Sequence, residues 1–314
     1  MDRAGRKTEM QQTKEITSFL HGRLGNQLFV YAAVRAAQLR YWNGEGKIVL
    51  DNERYIPFNS LTNYKLCDSV RFQKVYLGKL REVFLWQCYG KHNKTPRYQY
   101  DFTVRHQRQY NKLGFYLCMD GYQPMPEKIA DNFVMDGFFQ SEKFFSDYRR
   151  QLLEELVPVA PPLEKNVPLI REIADSESVC VTVRLGDYIH NPVHEVCTVR
   201  YFQRAIDLMR TLHPDCVFYL FSDQPELARQ LLRMPENTVM EQGNDPDYEK
   251  LRVMSGCRHF ILSNSSFSWW AQWLSVREDK TVIAPDHWYK VDVPCDIYQE
   301  GWILLPTEED TADE

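Results

Sequence analysis

Val179-Cys-Val-Thr-Val183-Arg184-Leu185-Gly186-Asp187-Tyr188 sets the reading of the whole chain. A short β-branched run ends at an arginine, and a glycine–aspartate turn follows. The same cadence returns in short apolar runs at 217–221, 237–240, 260–262 and 281–284. Between them, helical spacing runs over 200–212, 225–233, 248–257 and 267–276. Strand and helix alternating at this interval predict a parallel sheet with helices on both faces. On such a sheet ligands bind beyond the carboxyl ends of the strands, and Arg184 stands at one of those ends.

Upstream, Ile16–Leu20 is a short apolar run broken by His21-Gly22-Arg23-Leu24-Gly25-Asn26-Gln27, and 28–39 has helical spacing. That is strand, glycine turn, helix. Residues 47–50 and 132–137 are strand-like, and a helix is expected from Ser141, with Glu142 favoured by the dipole in its first turn. The Tyr-, Lys- and Arg-rich region 52–125 gives no clear pattern. Val157–Leu163 holds three prolines in five positions, which breaks any element and marks a linker. The expected class is α/β in two units, 15–156 and 163–305, with flexible ends at 1–14 and 306–314, the second end an acidic, solvated tail.

The chain has 314 residues, enough for about two domains at roughly 150 residues each. With 38 basic and 43 acidic residues its formal net charge is −5, which argues against nucleic acid as a main partner. No apolar run reaches the roughly 18 residues of a membrane span, and Met1–Glu15 has no apolar signal core. The eight cysteines form no C-x-x-C pair and several sit in apolar runs, so they are read as reduced, buried hydrophobes in a cytoplasmic protein.

Three strand-to-helix junctions concentrate chemistry. In Gly22–Gln27 two glycines permit close backbone approach, and the helix start offers free N–H groups to an anion, although an ordinary βα turn reads the same way. In Val183–Tyr188 the planar fork of Arg184 suits a diphosphate oxygen, and Asp187 can brace it or act on substrate; the plain alternative is a surface ion pair. In Leu262-Ser263-Asn264-Ser265-Ser266-Phe267-Ser268-Trp269-Trp270, four serines and an asparagine at a helix start exceed what one N-cap requires, while the tryptophans read as packing. Asp245-Pro246-Asp247 formally matches a metal-holding D-x-D but is more simply a helix cap. His190 and His194 follow Arg184 and titrate near neutrality. H-E-x-x-H, G-x-S-x-G and Walker A patterns are missing, which removes several hydrolase and NTPase readings.

Together these residues resemble the α-1,2-fucosyltransferases of glycosyltransferase family 11. The matching stretches are His21-Gly-Arg-Leu-Gly-Asn-Gln-Leu-Phe29, Asp136-Gly-Phe-Phe-Gln-Ser-Glu-Lys-Phe-Phe145, Val183–Tyr188, His194-Glu-Val-Cys-Thr-Val-Arg-Tyr-Phe202, Phe221-Ser222-Asp223 and Ser263-Asn-Ser-Ser-Phe-Ser-Trp-Trp-Ala271. The resemblance implies a GT-B-like fold of two Rossmann-like domains facing a cleft, GDP-β-L-fucose held mainly by the C-terminal one, and inverting transfer to the 2-hydroxyl of a galactoside. It implies no cofactor beyond that donor substrate and no metal, the positive charge coming from arginine and helix-end N–H groups.

In that picture Arg184 neutralises the departing diphosphate. Ser265, Ser266 and Phe267 hold the nucleotide with Asn264 nearby, alongside Ser222 and Asp223. Gly25, Asn26 and Gln27 close onto the donor from the N-terminal domain. His194 and Asp187 are the candidate bases. The family's His-x-Arg-Arg-Gly-Asp is altered here to Thr182 and Leu185, and an acid expected in the helix after 247 is replaced by Lys250, leaving Glu249 to read guanine if the helix is slightly rotated. The implied setting is a bacterial-type cytoplasmic enzyme without a transmembrane segment, attached at most peripherally to a membrane. A transferase with another donor sugar and a non-catalytic glycan- or nucleotide-binding protein are the alternatives.

Overall fold

The computed structural model describes residues 14–90, 95–241 and 244–307. The expected mobile lead-in through residue 13 and the acidic tail from Glu308 lie outside the described residues. Lys14 and Thr307, expected to be loose, are instead tied down. The Lys14 carbonyl accepts from Lys47 N at 2.8 Å, and Thr307 donates from its backbone and hydroxyl to Asp286 Oδ1 at 3.1 and 3.0 Å.

The amino-terminal lobe runs β1 (Glu15–Phe19), α1 (Leu24–Trp42), β2 (Lys47–Asp51), β3 (Val70–Phe72), α2 (Lys79–Gly90), α3 (Pro96–Lys112), β4 (Phe115–Cys118) and β5 (Asn132–Gly137). All pairs in its sheet are parallel, in the order β3-β2-β1-β5-β4. After α4 (Arg149–Glu155) and α5 (Val167–Asp175) come β6 (Ser178–Val183), α6 (Val199–Leu212), β7 (Val217–Ser222), α7 (Pro225–Leu231), β8 (Val239–Met240), α8 (Asp247–Ser255), β9 (His259–Ile261), α9 (Ser266–Leu274), β10 (Val282–Pro285) and β11 (Ile303–Leu305). These strands form a second parallel sheet, β11-β10-β9-β6-β7-β8. The chain is thus α/β, with two Rossmann-like lobes facing a cleft in a GT-B-like arrangement. Among the described residues no helix is long and apolar enough to cross a membrane.

The core does not divide between the lobes. α1 is apolar almost all round, and such a helix is stable only when buried on every side. It lies between its own sheet and α9 of the other lobe. Phe29 packs 4.5 Å from the Trp269 ring and 5.1 Å from Trp270, and Phe145 stacks on Trp270 at 5.7 Å. Burying aromatic rings this size supplies much of the apolar driving force at the junction.

The expected helix at Ser141 shrinks to a single 3₁₀ turn, Glu142–Phe144, capped by the Ser141 hydroxyl. Glu142 accepts from Trp273 Nε1 at 2.7 Å and from Gln299, so it serves the lobe junction instead of a helix dipole. The proline-rich linker 157–163 has no helix, as expected, but it is pinned. Lys65 N donates to Val157 O at 3.0 Å and Val159 N to Asn63 O at 2.8 Å.

Candidate active site

β6 is buried along its whole length because it is central, paired with β7 on one side and β9 on the other. Arg184 leaves its carboxyl edge directly into a cleft of about 430 Å³, within the usual range of small-ligand sites. Its Nη2 donates to Asp187 Oδ1 at 2.6 Å, and its Nη1 lies 3.0 Å from Asp223 Oδ2. Asp223 Oδ1 in turn accepts from Leu185 N at 2.9 Å, so this carboxylate is fixed from the end of β7. The surface ion-pair reading is therefore half right: the pairs exist, but on the cleft wall.

Opposite Arg184 two helix N-termini meet. α9 starts where β9 ends, and Ser265 caps it by accepting from Phe267 N at 3.3 Å. α1 starts at Leu24, and Arg23 provides no side-chain cap. Neither helix has an acid in its first turn. The positive dipole ends therefore face the cleft with no acid to compensate them, the arrangement that attracts anions. Gly25 permits the approach. A Cβ there would lie 2.6 Å from Phe267 N and 2.7 Å from Ser266 C, closer than any real side chain is found. Expected to close onto a ligand from a separate domain, Gly25 is instead already seated on the first turn of α9.

The remaining residues divide by where their side chains go. Gly25, Asn26, Thr182, Arg184, Asp187, His194, Ser222, Asp223, Asn264, Ser265, Ser266 and Phe267 line the cleft. Asn26 Oδ1 accepts from Gln140 Nε2 at 2.8 Å, and Gln140 Oε1 accepts from Tyr289 OH at 2.7 Å. The Asn264 side chain is committed to the scaffold, donating to the carbonyls of His194 (2.9 Å) and Trp288 (3.0 Å). Thr182, standing where a histidine was expected, donates to Ile261 O at 3.2 Å and accepts from Ser263 N at 3.1 Å.

His194 stacks on Tyr188 at 5.2 Å and lies 5.7 Å from Tyr289. Burial pushes its pKa below the ordinary histidine value, with Asp187 pulling the other way. Its Nδ1 is buried without a hydrogen-bond partner in the structure. Burial likewise lifts the Tyr188 phenol to about 12, so it stays neutral.

Two expected ligand residues turn away from the cleft. The Gln27 side chain is fully buried, donating to Gly22 O at 3.2 Å and accepting from Ser60 N at 2.8 Å; it braces the glycine turn. Glu249 is also fully buried. It accepts from Leu163 N at 2.9 Å, Asn166 Nδ2 at 3.1 Å and Arg252 Nη1 at 2.6 Å, and so fastens α8 to the linker. One residue is about 100° of helix rotation, so Asp247, Lys250 and Met254 face the cleft in its place. Lys250 pairs there with Glu241 at 3.6 Å. The D-x-D stretch is not the side-chain cap expected either: Asp245 binds Lys165 at 2.5 Å and Asn166 at 2.7 Å, and Pro246 holds the cap position.

Gln140, Glu241, Asp247, Trp288 and Tyr289 line the cleft without having been singled out. Gln140 lay inside a quoted motif, and Asp247 in the D-x-D stretch read as a cap. The others come from loops whose side-chain directions are set by packing. The cluster Glu177–His213–His259 has metal-ligand residue types but sits at the amino edge of β6 and β9, away from the cleft. Its two imidazoles stack at 3.8 Å, and both approach Glu177 Oε1, His259 Nε2 at 2.8 Å and His213 Nδ1 at 3.3 Å.

Residues 92–306 match the family model described as glycosyl transferase family 11. The chain is 25% identical over 313 residues to an alpha-1,2-colitosyltransferase of Escherichia coli, covering 92% of this chain and 98% of that one. It is 30% identical over 155 residues to a galactoside 2-alpha-L-fucosyltransferase of Caenorhabditis elegans, covering 45% and 42%. A solved fucosyltransferase, NodZ from Bradyrhizobium, superposes with a TM-score of 0.48 at 13% identity, over 83% of this chain and 91% of that one.

Proposed function

Because the chain belongs to glycosyl transferase family 11 and is thereby a glycosyltransferase using a nucleotide sugar, we propose that it moves L-fucose from GDP-β-L-fucose to the 2-hydroxyl of a galactoside. The transfer inverts the anomeric carbon and uses no metal. One observation carries this reading: the Arg184 guanidinium and two acid-free helix N-termini share one cleft. Charge develops on the diphosphate as the glycosidic bond breaks, and fixed donors aimed there stabilise the transition state more than the ground state.

In this reading Arg184 takes the leaving β-phosphate. Asp223 orients it, and Asp187, more than half exposed, gives way. Ser265, Ser266 and the Phe267 amide hold the diphosphate on α9, with Gly25 and Asn26 behind it and Ser222 and Asn264 shaping the wall. His194, on the cleft wall, takes the proton of the attacking hydroxyl, since the Asp187 oxygen is engaged by Arg184. Guanine is read by Asp247 with Glu241, since Glu249 faces the linker.

A second reading keeps the chemistry and changes the sugar to colitose, which is fucose without its 3-hydroxyl. The Escherichia coli relative favours it. The protein assayed with GDP-fucose and GDP-colitose against galactosides, followed by linkage analysis, tests both. A fucosyl-α-1,2-galactoside is expected. Turnover of the colitose donor alone would move the assignment to the second reading, and no transfer from either would remove both.

A further inference from the structure

The face built by α2 and α3 carries features that the cleft does not use. Among the described residues between Arg71 and Lys112 stand eight basic side chains and two acidic ones, a local net of +6. The whole chain carries −5, so this segment is a basic pole on an acidic molecule. Its two acids are already paired, Glu82 with Arg54 at 2.7 Å and Asp101 with Arg97 at 3.4 Å. Arg105, Arg108 and Lys112 recur at helical spacing on the exposed side of α3, opposite the buried Tyr110, and have no acidic partner among the described residues.

The same face holds exposed apolar side chains. Leu80 is 87% exposed, Tyr76 74% and Leu113 58%. Arg81 donates to Gly114 O at 3.5 Å and lies 4.8 Å over the Phe115 ring, so the start of α2 meets the end of α3. Leu80 and Leu113 therefore stand at one end of the face, with Lys79 and Lys112 beside them. At the other end Arg97 reaches Asp292 at 3.3 Å, on the segment that carries Tyr289 of the cleft wall. An acidic protein or a nucleic acid would satisfy the charges and leave the leucines in water. A bilayer with anionic headgroups satisfies both, because basic side chains lie on phosphates while apolar ones enter the interface.

We propose that the α2–α3 face docks the protein on an anionic lipid bilayer, with Leu80 and Leu113 in the headgroup layer and Arg105, Arg108 and Lys112 on lipid phosphates. Docking by this face sets the cleft mouth beside the bilayer. The full chain is sedimented with vesicles of phosphatidylcholine alone and of phosphatidylcholine with phosphatidylglycerol, at low and physiological salt. Binding is expected only to the vesicles containing phosphatidylglycerol, and salt weakens it. Each basic residue near the surface is worth about fivefold in partitioning, so the double variant Arg105→Glu, Arg108→Glu loses more than tenfold. The double variant Leu80→Ser, Leu113→Ser also loses binding, and both keep a melting temperature near the wild type's because these side chains stand mostly in solvent. Equal binding to both vesicle types, or undiminished partitioning of either variant, overturns the proposal. Capture by duplex DNA or polyglutamate that survives the leucine changes overturns it too, in favour of a soluble polyanion.

Discussion

Arg184 is poised rather than free. Two carboxylates hold its fork flat against the cleft, one anchored by a backbone amide and one largely in solvent. Arg184→Ala is expected to lower kcat by about 10²–10³, the usual cost of removing one transition-state donor, with KM for the donor changed far less. Arg184→Lys recovers little, because a point charge cannot span a carboxylate and a phosphate oxygen together; steady-state kinetics on both variants decide this. His194 gives a prediction in pH. A base works only when neutral, and burial lowers this pKa below the ordinary value near 6.5, so the acid limb of kcat is expected at lower pH than an ordinary histidine would give. His194→Ala should lose rate and this acid limb together, and an unchanged profile would remove the residue from the chemistry. Arg184 and Ser265–Phe267 were legible in the sequence because each follows shortly after its own strand, so strand direction delivers them to the carboxyl edge. Glu249 was not. Side chains one position apart on a helix point about 100° apart, and nothing local fixes that phase.

At the scale of elements, the cleft depends on how closely α1 and α9 approach. Gly25→Ala places a methyl against backbone atoms of Ser266 and Phe267, and backbone cannot swing aside as a flexible side chain can. The expected result is a large rise in KM for the nucleotide sugar together with a lowered melting temperature, both measurable on the purified variant. α8 offers the opposite case. Glu249→Ala leaves Arg252 and Asn166 without their buried partner and is expected to cost about 3 kcal/mol of stability in denaturant unfolding, with donor KM unchanged. Asp247→Asn should do the reverse. A donor KM that responds to Glu249 and not to Asp247 would restore the original reading of guanine recognition. The unread region 52–125 also has a physical explanation. β3 is three half-exposed residues, and in α3 only Gln107 and Tyr110 are buried, so neither carries the periodic apolar signal on which sequence reading relies.

For the molecule as a whole, the shared core predicts how it unfolds. Two lobes joined by a polar contact would hinge and melt separately, but here Phe29, Phe145, Trp269, Trp270 and Trp273 form one apolar cluster across the junction. Arg149 adds to it by lying 4.5 Å over Trp273 and donating to the carbonyls of Trp273 and Ser275 at the end of α9. One cooperative calorimetric transition is expected for the wild type. Trp270→Ala is expected to lower stability by about 3–5 kcal/mol and to split that transition, since it hollows the junction while leaving each sheet intact. The sequence by itself determined the parallel α/β architecture, the strand-edge arginine and the serine-rich helix start, because β-branched runs, helical periodicity and turn residues act over a few positions. Only the tertiary structure decided that the lobes share one core, that Gln27 and Glu249 brace the scaffold while Asp247 and Lys250 face the cleft, and that a basic, leucine-tipped face lies beside it. Those outcomes depend on packing between elements well separated in the chain, and helix phase and side-chain direction have no meaning until that packing exists.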